Sequence, residues 1–185
     1  MALSSTLVPL GTPAPPFALA DLNGASVRLG DFADQRVLVV AFVCNHCPYV
    51  QHIETQLGAV AAAETAAFVA ICSNDVLAYP ADAPERLAEQ VERAHWRFPY
   101  LVDPDQTAAR AFGAVCTPDF FVYGPDRQLA YRGAFDPSTP KNGETVDGSL
   151  LVAALDLVRR GEPVPEPHRP SMGCGIKWLS GREPA

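Results

Sequence analysis

Residues 37–53 read VLVVAFVCNHCPYVQHI. The first seven are apolar without alternation and rich in β-branched side chains, the pattern of a strand buried on both faces of a parallel sheet. That run ends directly in Cys44-Asn45-His46-Cys47, so two cysteines spaced by two residues stand at the carboxyl end of a central strand. From Pro48 the spacing changes. Val50, Ile53, Leu57 and Val60 recur at three- and four-residue intervals, which predicts an amphipathic helix to about Glu64, with Pro48 in its first turn where a missing N–H does no harm.

The first turn of a helix leaves backbone N–H groups unpaired and carries the positive end of the helix dipole, so a thiolate there is stabilised. The spacing predicts a dithiol that closes to a small disulfide ring. Cys44, at the helix entrance, is then the exposed attacking sulfur, and Cys47 the buried partner that resolves a mixed disulfide. His46 between them is expected to favour the Cys44 thiolate if it is protonated or donates to that sulfur. A half zinc site is the plainer alternative, but Cys72, Cys116 and Cys174 supply no second pair at ligand spacing.

Outward from this stretch, residues 67–72 (AFVAIC) predict a second central strand whose carboxyl end, Ser73-Asn74-Asp75, lies beside the cysteines. A helix over about 83–95 follows, with Asp82 and Glu85 as its capping pair. Residues 98–102 form a short strand, and Asp103-Pro104-Asp105-Gln106 reads as a cap and first turn of a helix closed by Gly113. Two strands, 120–123 and 128–132, make a hairpin, and a last helix covers about 146–160. Before the central strand, Asn23-Gly24 marks a small hairpin within 17–28. This order predicts one α/β domain over 1–160, preceded by an extended proline-rich lead-in, with residues 161–185 as a proline-rich arm folding back over it.

The chain has 185 residues, 48% hydrophobic and 19% charged, with a net charge of −7. That acidic balance argues against nucleic acid and anionic membrane surfaces as partners. No Lys or Arg precedes Arg28 and no apolar run reaches membrane-spanning length, so a cytoplasmic location is expected. Five cysteines in a reducing compartment, two of them a CxxC pair, point to redox or metal chemistry rather than a disulfide scaffold.

The CNHCPYV stretch, VCTPDFFVY (residues 115–123) and GCGIKW (residues 173–178) resemble peroxiredoxin-like redoxins, related to the alkyl hydroperoxide reductase and thiol-specific antioxidant proteins, in a subgroup labelled probable thiol-disulfide isomerase. The resemblance implies a thioredoxin-like fold: a central mixed sheet flanked by helices, with an N-terminal hairpin. It also implies thiol–disulfide oxidoreduction without a cofactor, on a disulfide-containing protein or a small thiol, with a thioredoxin-reductase-like or low-molecular-weight thiol as reductant. Pro118, after Thr117, matches the cis-proline of that fold, and Asn45, Thr117 and Pro118 are then the residues that meet substrate.

The chain departs from the family in three places. No Pro-x-x-x-Thr/Ser-x-x-Cys pattern precedes either cysteine, since Val40 and Cys44 stand before Cys47 and Val37 and Ala41 before Cys44. Val43 replaces the Trp of many thioredoxins, and Leu38 replaces their buried acid. Cys116 and Cys174 are possible third redox thiols, Cys72 is expected as a small buried hydrophobe, and His52, His95 and His168 are expected at the surface. Two other readings stand beside the oxidoreductase: a thioredoxin-fold carrier of copper or zinc, since soft thiolates suit Cu(I), and a thiol peroxidase passing through a sulfenic acid.

Overall fold

The computed structural model describes residues 2–183. The sequence's central strand, β4 (Leu38–Phe42), is buried along its whole length. It pairs in parallel with β5 (Ala67–Cys72) and antiparallel with β8 (Asp119–Tyr123). Parallel pairing continues from β5 to β6 (Tyr100–Val102), and antiparallel pairing then carries the sheet through β2 (Ala18–Asp21) to β3 (Ser26–Arg28). On the other side β8 pairs with β9 (Leu129–Gly133), so the seven strands run β3-β2-β6-β5-β4-β8-β9.

Alternate residues of β4 face opposite layers. Val39 and Ala41 pack with α1 (Pro48–Ala63), α2 (Pro84–Ala94) and α4 (Ser149–Arg160), while Leu38, Val40 and Phe42 pack with α3 (Thr107–Phe112) and Phe121. Helices on both faces explain why the strand is apolar throughout. α1 and α2 approach closely at Gly58, where an added Cβ would lie 2.3 Å from the Ala94 carbonyl oxygen. Among the described residues no helix is long and apolar enough to cross a membrane.

Several local expectations change. Asp82 is not a cap for α2, whose N-cap is Ala83 without a side-chain bond. Asp103 does cap α3, but from outside an intervening turn: its carboxylate accepts from the N–H groups of Ala108 and Ala109 and from Ser73 Oγ, while Gln106 takes a left-handed conformation as N-cap. His168 is buried rather than superficial, against Tyr131 and Arg132.

A second, three-stranded sheet joins distant parts of the chain in the order β1-β10-β7. Its strands are β1 (Ala2–Ser4), β10 (Met172–Gly175) and β7 (Cys116–Thr117), all antiparallel. The arm after Arg160 therefore ends as a strand laid on Cys116 and Thr117, with Cys174 opposite Thr117.

Candidate active site

α1 begins where the sequence places it, with Cys47 as N-cap and Pro48 at N1. Both thiols of the pair are unpaired and buried, Cys44 with 1% and Cys47 with 0% of its surface exposed. Burial of Cys44 departs from the expected exposed sulfur; Thr117, His46 and the Asp82 side enclose it.

The two thiols differ in their surroundings. The neighbouring Cys44 thiol, with the Thr117 hydroxyl and the N–H groups of Cys174 and Val50, favours the Cys47 thiolate against its burial and lowers its pKa to about 5. Cys44 is raised well above its ordinary value: it neighbours Cys47, is desolvated, and faces the Asp82 carboxylate. The directions favour Cys47 over Cys44 as the more acidic thiol. One contact opposes this, since Cys47 Sγ lies 3.1 Å from the Thr117 carbonyl oxygen, a bond that holds only while that sulfur keeps its proton. Thr117 Oγ1 is 3.4 Å from Cys44 Sγ, and the Thr117–Pro118 peptide bond is cis.

His46 lies between Asp82 and Cys44. Its Nδ1 is 2.6 Å from Asp82 Oδ2 and 3.9 Å from Cys44 Sγ, and its ring stacks on Tyr79 with centroids 5.4 Å apart. Asp82 is fully buried, and it also accepts from Asn45 N at 2.9 Å, His46 N at 3.0 Å and Asn74 Nδ2 at 2.7 Å. A loop 36 residues downstream thus fixes the turn between the cysteines.

Asn45, expected to meet substrate, has its polar groups engaged within the chain. Its Nδ2 donates to Ala81 O, its Oδ1 accepts from Arg93, and its carbonyl accepts from Gln51 Nε2. Arg93 also pairs with the buried Glu54, to which Gln90 donates, and Gln90 donates to the Cys44 carbonyl at 3.4 Å.

Cys44, His46 and Asp82 are three ligand-type side chains whose donor atoms lie within 4.8 Å of one another. Asp82 already accepts four hydrogen bonds from the protein, so its carboxylate is satisfied without an ion, and the trio fits a proton-handling group better than a cation cage.

Cys174 comes beside Cys47, and burial, its hydrogen bond to Cys47 and the Cys47 charge raise its pKa to about 11. Cys116 is fully buried with its Sγ 3.8 Å from the Pro118 carbonyl oxygen, and burial pushes its thiol up. Cys72 is buried in the core.

Residues 10–132 match the AhpC/TSA family. The chain belongs to that family. Relatives of this AhpC/TSA protein include a chain of Mycobacterium tuberculosis named as a candidate peroxiredoxin, 28% identical over 165 residues, covering 87% of this chain and 93% of the relative. A solved structure of an uncharacterized conserved protein from Geobacillus kaustophilus is 44% identical, with a TM-score of 0.94 over 98% of each chain. A secreted M. tuberculosis disulfide oxidoreductase homologous to E. coli DsbE is 20% identical with a TM-score of 0.60, covering 76% of this chain and 94% of that one. The fold is thus thioredoxin-like, and the AhpC/TSA family is one of redox enzymes.

Sequence reasoning missed two acids of this AhpC/TSA protein. Asp82 reads locally as a helix cap because Pro and Ala surround it, and nothing nearby in sequence shows that it turns toward Asn45 and His46. Asp119 is the other: a carboxyl inside the apolar run of β8, wholly buried, and its position beside Pro118 was the available signal.

Replacing Asp82 by Asn should move the pH midpoint of Cys44 alkylation downward, because the charge that disfavours its thiolate is gone. It should also cost about 2–4 kcal/mol in urea unfolding, since the new amide donor faces the donors His46 Nδ1 and Asn74 Nδ2.

Proposed function

We propose that this protein is a thiol–disulfide oxidoreductase that works through Cys44 and Cys47 without a cofactor. The observation that carries the reading is a pair of buried, unpaired cysteines at the start of α1, both set against Thr117. Cys44 Sγ lies 3.4 Å from its Oγ1 and Cys47 Sγ 3.1 Å from its carbonyl oxygen. The lowered pKa of Cys47 supports it as the attacking sulfur. A thiolate held ready beside a protonated thiol is the reduced half of a dithiol couple. Cys47 attacks one sulfur of a substrate disulfide; the new S–S bond forms as the old one breaks, and the leaving thiolate takes a proton. Cys44 then gives up its proton to a leaving sulfur of the substrate and attacks Cys47 Sγ. The substrate's second sulfur leaves, and Cys44 and Cys47 are joined.

This order exchanges the roles expected from sequence, where Cys44 attacked first. Substrates are a disulfide-containing protein or a small disulfide, and the reductant is a thioredoxin-reductase-like enzyme or a low-molecular-weight thiol. The catalytic domain spans 1–160 and the covering arm 161–185, of which residues 2–183 are described, in a protein of the cytoplasm.

A second reading uses the same sulfur. Burial of both sulfurs favours a small oxidant over a large one, and a hydroperoxide could take its two electrons from Cys47, leaving an alcohol and a sulfenic acid. Condensation with Cys44 would release water and give the same disulfide.

A redox titration of the protein with disulfides mapped by mass spectrometry tests the first reading. A reversible Cys44–Cys47 disulfide supports it, and its potential, set against the span of about −270 to −120 mV between thioredoxin and DsbA, gives the direction of electron flow. If no disulfide links these residues, the reading fails. Stopped-flow mixing with hydrogen peroxide separates the second, which requires sulfenic acid on Cys47 before the disulfide appears.

A further inference from the structure

The cis-proline edge is where a thioredoxin-like site would align the backbone of an extended substrate, yet here the protein's own chain lies on it. Strand β10 runs antiparallel to β7, with Cys174 opposite Thr117 and Gly175 opposite Cys116. Contact is close enough that a Cβ on Gly173 would lie 1.8 Å from the Thr117 carbonyl oxygen, so only glycine fits there. The register sets Cys174 opposite Thr117, whose carbonyl oxygen lies 3.1 Å from Cys47 Sγ, and Cys174 packs against the same apolar cluster as Cys47.

The arm is fastened on both sides of this contact. Before it, Ser171 N donates to Ser5 Oγ and Ser171 Oγ donates to the Gly133 carbonyl. Beyond it, Lys177 N donates to Asn74 Oδ1, and the same Asn74 donates to Asp82, the acid that holds His46. Gln106 completes the clasp, donating to Lys177 O and accepting from Leu179 N. Of the three thiols, Cys174 alone is partly exposed; Cys44 and Cys47 are shut in.

We propose that Cys174 is a third catalytic thiol, a relay carrying electrons between solvent and the buried pair. This rests on the dithiol reading above. When Cys44 and Cys47 are joined, the Cys174 thiolate attacks Cys47 Sγ. A Cys47–Cys174 bond forms as the Cys44–Cys47 bond breaks, and the electron pair leaves on Cys44, which takes up the proton that Cys174 gave to solvent. No net oxidation occurs. The disulfide has moved one sulfur outward, where an external dithiol can attack Cys174 Sγ, return two electrons in two exchange steps and leave as its own disulfide. Cys116 does not serve, because it is fully buried with its sulfur turned to the Pro118 carbonyl.

The experiment uses the full chain and its Cys44→Ser, Cys174→Ser and Cys116→Ser variants, oxidised with stoichiometric diamide, quenched in acid, alkylated and mapped without reduction. Cys44→Ser is expected to yield Cys47–Cys174 as its main disulfide. Cys174→Ser is expected to close Cys44–Cys47 but to be reduced by dithiothreitol at least about tenfold more slowly than the parent, and Cys116→Ser to match the parent. If Cys44→Ser forms no Cys47–Cys174 bond, or Cys174→Ser is reduced at the parent rate, the relay is overturned while the pair stands. If the parent and Cys174→Ser both fail to close Cys44–Cys47, the dithiol reading falls and the relay with it.

Discussion

Replacing Cys47 by Ser should lower disulfide turnover by more than about a thousandfold, since in the proposed mechanism it removes the attacking sulfur rather than a group that assists it. The thiolate sits at the N-cap of α1, among donors that outweigh its burial. In the parent protein its iodoacetamide reactivity should therefore climb through a midpoint near pH 5, far below that of a free cysteine. Cys44→Ser should behave differently. Attack still occurs, but resolution passes to Cys174, and the Cys44→Ser/Cys174→Ser double variant should trap a covalent mixed disulfide on Cys47. Trapping in Cys47→Ser together with a dead Cys44→Ser would place the charge on the other sulfur and restore the order expected from sequence.

Asp119→Asn should change the pH dependence of stability more than any other single replacement outside the cysteines. Burial raises the Asp119 carboxyl to about 8, and both of its oxygens lack a well-aligned hydrogen-bond partner. Ser171 Oγ–H, which faces it, is committed to the Gly133 carbonyl. An acid with a raised folded pKa binds more protons folded than unfolded between its two pKa values. Parent stability thus carries a contribution that is full below about pH 4 and is lost as pH rises toward about 8. The lowered pKa of Cys47 acts in the opposite sense, adding stability as pH rises from about 5 toward 9. The clean readout is the difference between variant and parent in urea unfolding. Stability of Asp119→Asn relative to the parent should rise with pH by up to about 1.4 kcal/mol per unit across that window, several kcal/mol in all. A difference independent of pH would mean that Asp119 is ionised in the folded protein.

Much of this architecture is legible in the sequence where one element carries its own signal. The apolar β4, the three- and four-residue spacing of α1, the Asn23-Gly24 turn and the β8–β9 hairpin are all local patterns, and each forms close to its expected limits. The site is legible only in part, because its decisive contacts join segments far apart. Asp82 reaches Asn45 and His46 from a loop whose own residues suggest a cap. Cys174 reaches Cys47 through a strand of four residues, Met-Gly-Cys-Gly, with neither alternation nor β-branched side chains to announce it. What makes it a strand is the free edge of β7 on one side and β1 on the other, and local periodicity carries no record of a partner more than fifty residues away. The same limit hides the surroundings of the two thiols: the first turn of α1 is a local pattern, while the Asp82 carboxylate that faces Cys44 and the Cys174 strand that lies on Thr117 are not.

The small β1-β10-β7 sheet makes any outside strand a competitor rather than a guest. Because β10 is tethered to the molecule it covers, it meets the Thr117 edge at an effective concentration on the order of millimolar, without the entropic cost of bringing two molecules together. A substrate segment must displace it, either by offering more complementary side chains along the same few backbone bonds or by gripping a neighbouring surface first. Selectivity would then begin as a contest of strand exchange, decided before any sulfur is touched.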